Sequence, residues 1–117
     1  NNIYYDFDKS DLRADSKAVL DTLYTILMEN PLIIIELSSH TDSKGSDKYN
    51  MDLSQKRAES CVNYLINEKR LPKERITAKG YGESVPVAPN EKPDGSDNEE
   101  GRAKNRRTEF KITGEVK

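Results

Sequence analysis

The chain has 117 residues, of which 33% are apolar and 34% are charged. This length fits one domain built around one core. Its 19 basic residues stand against 21 acidic ones and give a formal net charge of −2, so the basic excess that is typical of nucleic-acid-binding proteins is missing.

The first part of the chain predicts a strand, a helix and a second strand. Residues 3–7 are rich in strand-forming side chains. Apolar residues then recur at spacings of three and four over residues 12–30, which predicts a helix that ends before Pro31. The run from Leu32 to Leu37 is nearly all apolar and β-branched, so it predicts a central strand that is covered on at least one face.

The second part of the chain predicts one more helix, two strands and a long polar loop. These elements are the helix 48–68, the strand 75–80, the loop at about 84–101 and the strand 108–113. A turn containing Gly45 precedes the helix, and Ser46 or Asp47 can cap it by accepting a bond from a free backbone N–H.

This order of elements predicts an α+β fold, β-α-β-α-β-β, with two main helices packed on one face of a mixed sheet. We expect residues 1–117 to form this single domain. No apolar run has transmembrane length. The chain starts inside a strand pattern and without a Met, so we expect it to be a mature or excised domain.

Arg57 has an unusual position for a charged residue. On a helical wheel it lies about 40° from Leu53, between that residue and Cys61, at the edge of the apolar face. One interpretation is an arginine that packs its stem on the core and keeps its head in water. The other is a half-buried cation, which needs an anionic or carbonyl partner because an unpaired desolvated charge is costly.

Asp42 follows the apolar strand, within the stretch "SSHTDSKG". Acids in turns often bond their own backbone two residues further on. Alternatively, Asp42 is a carboxylate held at a strand end, where ligands of α/β proteins tend to bind. Asp42 and Arg57 together would form a clamp for a zwitterion, in which the acid accepts from an ammonium and the guanidinium binds a carboxylate.

The remaining motifs do not predict a metal, a cofactor or a catalytic centre. His40 is the only histidine, and we interpret it as structural. Cys61 is the only cysteine, which excludes an internal disulfide, and we expect it in the core. Neither residue has companions for a zinc site. Asp42, Asp47 and Asp52 do not have the spacing of a calcium loop, and "GYGE" is not a dinucleotide fingerprint.

A basic segment, "GRAKNRRTEF", follows the polar loop. One interpretation is a solvated turn balanced by the acidic run just before it, and this fits Arg102 and Lys104 best. Asn105 and Arg106 instead enter a strand and can brace a site.

Taken in order, these motifs resemble the OmpA-like C-terminal, peptidoglycan-binding domain, over nearly the entire chain. The stretches that carry the resemblance are "IYYDFDKSDL", "SHTDSKG", "YNMDLSQKRAESCVNYL", "RITAKGYGESVPVAPN" and "GRAKNRRTEF". The resemblance implies non-covalent binding of the diaminopimelate side chain in the uncrosslinked peptide stem. It also implies that Asp42 and Arg57 grip the diaminopimelate head. The other implied ligand-binding positions are Asp6, Thr41, Asn50, Leu53, Arg106 and Arg107.

The chain departs from the family pattern in two places. Ser38 and Ser39 stand where Glu and Gly are common, and the polar segment from Asn90 to Gly101 is longer than usual. Serine is small, so we expect the turn to be kept while the surroundings of the site differ. The polar segment is expected to be a mobile loop that tunes access if it folds over the pocket.

The resemblance predicts a binding module in the periplasm, with no enzyme activity. We expect attachment to the outer membrane through a lipid anchor or a barrel in the parent chain, and no direct contact with nucleic acid. One alternative is a cell-wall hydrolase that uses Asp6 and Asp42 as acid and base. Another is a periplasmic protein-interaction module that docks a partner through the basic segment near Arg107.

Overall fold

The computed structural model describes residues 3–4 and 14–116. Its elements are β1 (Ile3–Tyr4), α1 (Ala14–Glu29), β2 (Ile33–His40), α2 (Asp47–Asn63), β3 (Ile76–Gly80), α3 (Glu99–Asn105) and β4 (Arg107–Glu115). A π-helical turn, Tyr64–Glu68, continues α2, and a 3₁₀ turn, Lys73–Arg75, precedes β3. None of these helices combines the length and the apolarity needed to cross a membrane.

The described strands form one mixed sheet in the order β1-β4-β2-β3. β2 runs parallel to β3 and antiparallel to β4, and β4 also pairs with β1. β2 is therefore an inner strand that is hydrogen-bonded on both sides, as its apolar, β-branched sequence predicts. The predicted α+β class and mixed sheet are confirmed.

The two long helices share one core with the sheet. Ile35 and Leu37 alternate along β2 toward the same face, where they are at most 1% exposed. Buried apolar side chains from both helices join them, among them Leu20, Leu27 and Cys61, and so does Leu65 of the π-helical turn that continues α2. Cys61 is 0% exposed, which confirms its predicted place in the core. This packing confirms the prediction that both helices lie on one face.

Arg75 closes the end of the core that lies away from the carboxyl end of β2. Its guanidinium donates to the carbonyl oxygens of Leu27, Asn30 and Ile33 at 2.8–3.1 Å. Carbonyl groups in the last turn of a helix have no partner within the helix, and a nearby cation satisfies them. Arg75 thus joins the end of α1 to the start of β2.

β2 extends further than predicted. The sequence predicts that the strand ends at Leu37, but it continues through Ser38 and Ser39 to His40. These three residues are hydrogen-bonded in the sheet, with Ser38 opposite Lys79 on one side and opposite Glu109 on the other. The prediction was wrong because it followed the apolar pattern, and the polar side chains of these three residues indicate a turn although they belong to an inner strand.

The predicted loop 84–101 is also too long, because α3 starts at Glu99. Asn98 caps this helix by accepting a hydrogen bond from the Gly101 backbone N–H at 3.3 Å. Before the cap, the segment turns back on itself at a small hairpin, in which Glu91 pairs with Asp97.

Asn105 fastens this segment to the rest of the domain. The side chain is 0% exposed. Its Oδ1 accepts from the backbone N–H groups of Val87 and Ala88 at 2.8 and 3.1 Å. Its Nδ2 donates to the Ala88 carbonyl at 2.9 Å and to Asn90 Oδ1 at 3.0 Å. The interpretation that Asn105 and Arg106 enter a strand is wrong. Asn105 ends α3 and braces the segment before that helix, and Arg106 lies between α3 and β4.

We expect Gly101→Ala to destabilise the domain by roughly 1–3 kcal/mol, the usual cost of overpacking. A Cβ at Gly101 would lie 1.9 Å from the Pro89 carbonyl oxygen, so backbone must move. Gly114→Ala is the matched control, because a Cβ there meets nothing within 4 Å. Urea denaturation measures both free energies of unfolding, and equal values for the two variants would contradict the packing described here.

Candidate functional site

A cavity of about 150 Å³ opens at the carboxyl end of β2. Cavities of about this volume admit a molecule the size of benzene. The turn after β2, one face of α2 and the residue that follows α3 form its walls. The lining residues are Thr41, Asp42, Lys44, Gly45, Tyr49, Asn50, Leu53, Arg57 and Arg106.

Most of the residues that the sequence predicts for the site line this one cavity. They are Asp42, Arg57, Thr41, Asn50, Leu53 and Arg106. Arg107 is not among the lining residues, and Asp6 lies outside the described part of the chain. The acid and the base of the predicted clamp therefore share one cavity, although they are far apart in sequence.

Arg57 is buried completely, with 0% exposure. Its Nη1 donates to the His40 carbonyl oxygen at 3.2 Å, at the end of β2. The interpretation that its head stays in water is therefore wrong. The guanidinium has the carbonyl partner that a buried cation needs, and it still lines the cavity.

Asp42 is only 3% exposed, and both interpretations of this residue describe it in part. Its Oδ1 accepts from the Lys44 backbone N–H at 3.0 Å, which is the turn bond. Its Oδ2 lies 2.9 Å from Arg106 Nη1 in a buried ion pair. One carboxylate thus shapes the turn and also places negative charge at the cavity wall.

Arg106 joins two carboxylates. Its Nη1 contacts Asp42, and its Nη2 contacts Glu99 Oε1 at 2.5 Å. Burial disfavours the charged form, but the hydrogen bonds from Glu99 and Asp42 outweigh it and raise the pKa of Arg106 above its usual value. Arg106 therefore remains a cation at the cavity.

Arg107 has a different role from its neighbour. It is 1% exposed, and its Nη2 donates to the Val85 carbonyl at 3.1 Å and contacts Glu109 Oε1 at 3.3 Å. These contacts hold the segment after β3 against the sheet. The structure thus separates the two arginines, which the sequence alone left equivalent.

The "GYGE" segment supports the cavity from behind. The Thr41 N–H donates to the Gly82 carbonyl at 2.9 Å, and the Gly82 N–H donates to Ser54 Oγ at 2.9 Å. Gly82 has φ 59°, a backbone conformation that favours glycine. Asn50, which is 1% exposed, donates to Glu83 Oε1 at 3.0 Å. These bonds hold the turn after β2 and the face of α2 in place.

Sequence reasoning missed four residues at or next to the cavity. Lys44, Gly45 and Tyr49 line it, and Glu99 holds Arg106. Tyr49 lies four residues before Leu53, on the same face of the helix, and this spacing could have identified it. Glu99 had no such signal, because it falls in the segment that was predicted to be a loop.

Among the described residues, no group of three or more His, Cys, Asp or Glu side chains is arranged to hold a metal ion. His40, the only histidine, is 3% exposed and does not line the cavity. Its ring stacks on Tyr81, with centroids 5.2 Å apart, and its Nε2 lies 3.4 Å from Glu109 Oε1. The predicted structural role of His40 agrees with this environment.

The profile of the OmpA family matches residues 4–106. Outer membrane porin F from Pseudomonas aeruginosa is 39% identical over 116 residues, which is 99% of this chain and 31% of that protein. A protein of Gloeobacter violaceus named photosystem I P700 chlorophyll a apoprotein A2 is 48% identical over 115 residues, 98% of this chain but only 13% of its own length. This chain thus spans less than a third of either relative.

Solved structures share the fold. The crystal structure of the peptidoglycan-associated lipoprotein from Burkholderia pseudomallei is similar with a TM-score of 0.82 and 27% identity, over 96% of this chain and 89% of that one. The periplasmic domain of Helicobacter pylori MotB, at 20% identity and a TM-score of 0.77, covers 96% of this chain and 70% of its own. At that identity the likeness concerns the fold alone.

We expect acid to destabilise this domain partly through His40. Burial, together with the positive charge of Arg107, lowers the pKa of His40 from 6.5 to about 4. Between these pH values the unfolded chain binds a proton that the folded chain does not. The free energy of unfolding therefore falls as pH drops from 6.5 toward 4, by roughly 3 kcal/mol at most.

His40→Phe keeps a ring against Tyr81 and removes this titration. Urea denaturation at pH 7 and at pH 4.5 should show a smaller acid-induced loss of stability for the variant than for the wild type. An equal loss in both proteins would mean that His40 is not the group that titrates.

Proposed function

This chain belongs to the OmpA family, and from that membership and the geometry of its cavity we propose that it binds peptidoglycan without cleaving it. The observation that carries the proposal is that Asp42 and Arg57, one anion and one cation, line the same small cavity. The relative from Burkholderia pseudomallei, which is named peptidoglycan-associated, supports the same assignment.

The ligand group we propose is the free end of a diaminopimelate side chain, which carries an ammonium and a carboxylate on one carbon. Asp42 accepts hydrogen bonds from the ammonium, and Arg57 binds the carboxylate, with Arg106 beside them. Charge-assisted hydrogen bonds of this kind are roughly twice as strong as neutral ones, and a guanidinium matches a carboxylate in shape. The remaining lining residues, such as Leu53 and Tyr49, contact the apolar part of the side chain.

Selectivity follows from the need for both charges. A peptide with lysine in place of diaminopimelate keeps the ammonium and lacks the carboxylate. The buried Arg57 then loses a partner, which costs on the order of 1–3 kcal/mol. The domain therefore distinguishes cell walls that contain diaminopimelate from cell walls that contain lysine at the same position of the stem peptide.

The described part of the cavity supports binding more directly than hydrolysis. Glycoside hydrolysis uses two carboxylates that flank the scissile bond. Within the described residues, Asp42 is the one carboxylate that lines the cavity, and it is held in an ion pair with Arg106. Asp6, the second acid of the hydrolase alternative, lies outside those residues.

We further propose that the domain works in the periplasm and links its parent chain to the cell wall. A single cavity of this size supports modest affinity. Many copies that face one polymeric wall add avidity, since each new contact forms at a high effective concentration.

Asp42→Asn tests the anionic half of the clamp, because it removes the charge and keeps an acceptor for the Lys44 N–H. We expect affinity for a diaminopimelate-containing stem peptide to fall roughly 10- to 100-fold, as for the loss of a charged hydrogen bond. The matched control is Asp94→Asn. Asp94 bonds its own turn in the same way, through the Ser96 N–H at 2.9 Å, but it is not among the lining residues of the cavity.

Arg57→Lys tests the cationic half and keeps the buried positive charge, which protects the fold better than Ala would. We expect weaker sedimentation with purified cell-wall sacculi than for the wild type, since lysine cannot bind a carboxylate with two parallel bonds. Thermal unfolding of each variant confirms that it is folded. If folded Asp42→Asn and Arg57→Lys proteins both sediment as the wild type does, the clamp is wrong.

The same sacculi separate binding from the alternatives. Incubation with the wild-type domain should release no soluble muropeptides, and measurable release would replace the proposal with a hydrolase. A wild-type domain that ignores both sacculi and stem peptide would favour the protein-interaction module.

A further inference from the structure

The charge at the cavity is balanced by a residue outside its wall. Among the buried lining residues, Asp42 is negative, while Arg57 and Arg106 are positive. Lys44 also lines the cavity, but its side chain is 46% exposed and lies 4.0 Å from Asp97. Within the described part of the chain, the buried lining taken alone has an excess of positive charge, which favours a plain carboxylate ligand over a zwitterion. Glu99, 2.5 Å from Arg106, adds a second negative charge to this group of described residues.

Arg106 is divided between two acids. Its Nη1 lies 2.9 Å from Asp42 and its Nη2 lies 2.5 Å from Glu99. A guanidinium that is shared in this way neutralises Asp42 only in part, so the field of Asp42 still attracts an ammonium. Without Glu99, the positive charge of Arg106 would act on Asp42 alone, and an incoming ammonium would gain less.

α3 holds Glu99 in this position. Asn98 caps the helix immediately before Glu99. Arg102, one turn further on, forms an ion pair with Asp97 and donates to Ser43 Oγ at 2.9 Å. Ser43 directly follows Asp42, so the helix that carries Glu99 is tied to the same turn that carries the anion of the cavity.

We propose that Glu99 is a positioning residue that acts through Arg106 and sets the selectivity of the cavity. With Glu99 in place, the cavity prefers a group with both an ammonium and a carboxylate over a group with a carboxylate alone. This inference rests on the proposed function, because it concerns the same cavity and the same ligand group.

The test compares three peptides that differ at one residue, which is meso-diaminopimelate, 2-aminopimelate or lysine. The side chain of diaminopimelate ends in both charges, that of 2-aminopimelate in the carboxylate alone, and that of lysine in the ammonium alone. Isothermal titration measures each affinity for the wild type and for Glu99→Gln. We expect the variant to lose about fivefold in affinity for the diaminopimelate peptide, the size expected for an ion pair exposed on one side. Its affinity for the 2-aminopimelate peptide should stay the same or rise.

Glu100→Gln is the matched control. Glu100 is exposed and lies beside Glu99 in the first turn of α3, so both substitutions remove the same favourable interaction with the helix dipole. We expect Glu100→Gln to keep the wild-type ratio of the two affinities. High salt should lower that ratio in the wild type more than in Glu99→Gln, because Glu99 is 61% exposed and its interaction is screened.

The outcomes are distinguishable. A lower diaminopimelate-to-aminopimelate ratio in Glu99→Gln alone supports the inference. An unchanged ratio, including an equal loss for both peptides, overturns it and leaves the proposed function intact. If the wild type binds none of the three peptides, the proposed function fails, and this inference fails with it.

Discussion

The cavity depends on a guanidinium that is buried at the end of the central strand. A desolvated charge is tolerated only if the surrounding groups satisfy it, and the carbonyl of His40 meets part of this requirement for Arg57. That carbonyl is in place because β2 continues past its apolar run to His40. The next residues, Thr41 and Asp42, are thereby brought to the same end of the sheet. One buried cation thus links the length of β2, the position of α2 and the wall of the cavity.

Much of the fold could be predicted from the sequence, because two kinds of pattern dominate it. The helical period of the apolar residues identified α1 and α2, and β-branched residues identified the start of β2. The predictions fail where strand pairing or side-chain contacts override the local sequence pattern. Ser38 and Ser39 are polar but belong to an inner strand, where pairing on both sides decides the structure. α3 has almost no apolar periodicity, and it is held by the cap at Asn98 and by side-chain contacts that no local pattern shows.

The candidate site was predictable only in part, for similar reasons. The wheel position of Arg57 and the strand-end position of Asp42 are local features, and both residues line the cavity. Arg106 and Arg107 are adjacent in sequence, so no period separates them. The end of α3 and the start of β4 decide their directions, which place one at the cavity and the other against Val85. Glu99 depends entirely on the unpredicted helix.

The small hairpin before α3 is a suitable place to attach a label. The hairpin closes on itself through the Lys92 N–H, which donates to the Ser96 carbonyl at 2.8 Å, and through Gly95, whose φ is 87°. Asn105 and Asn98 fasten the chain at its base. A dye, an epitope or an affinity handle attached at an exposed neighbour such as Asp94 would project into solvent, whereas Gly95 itself is best kept because its φ favours glycine. Such a label would report the location of the domain in living cells.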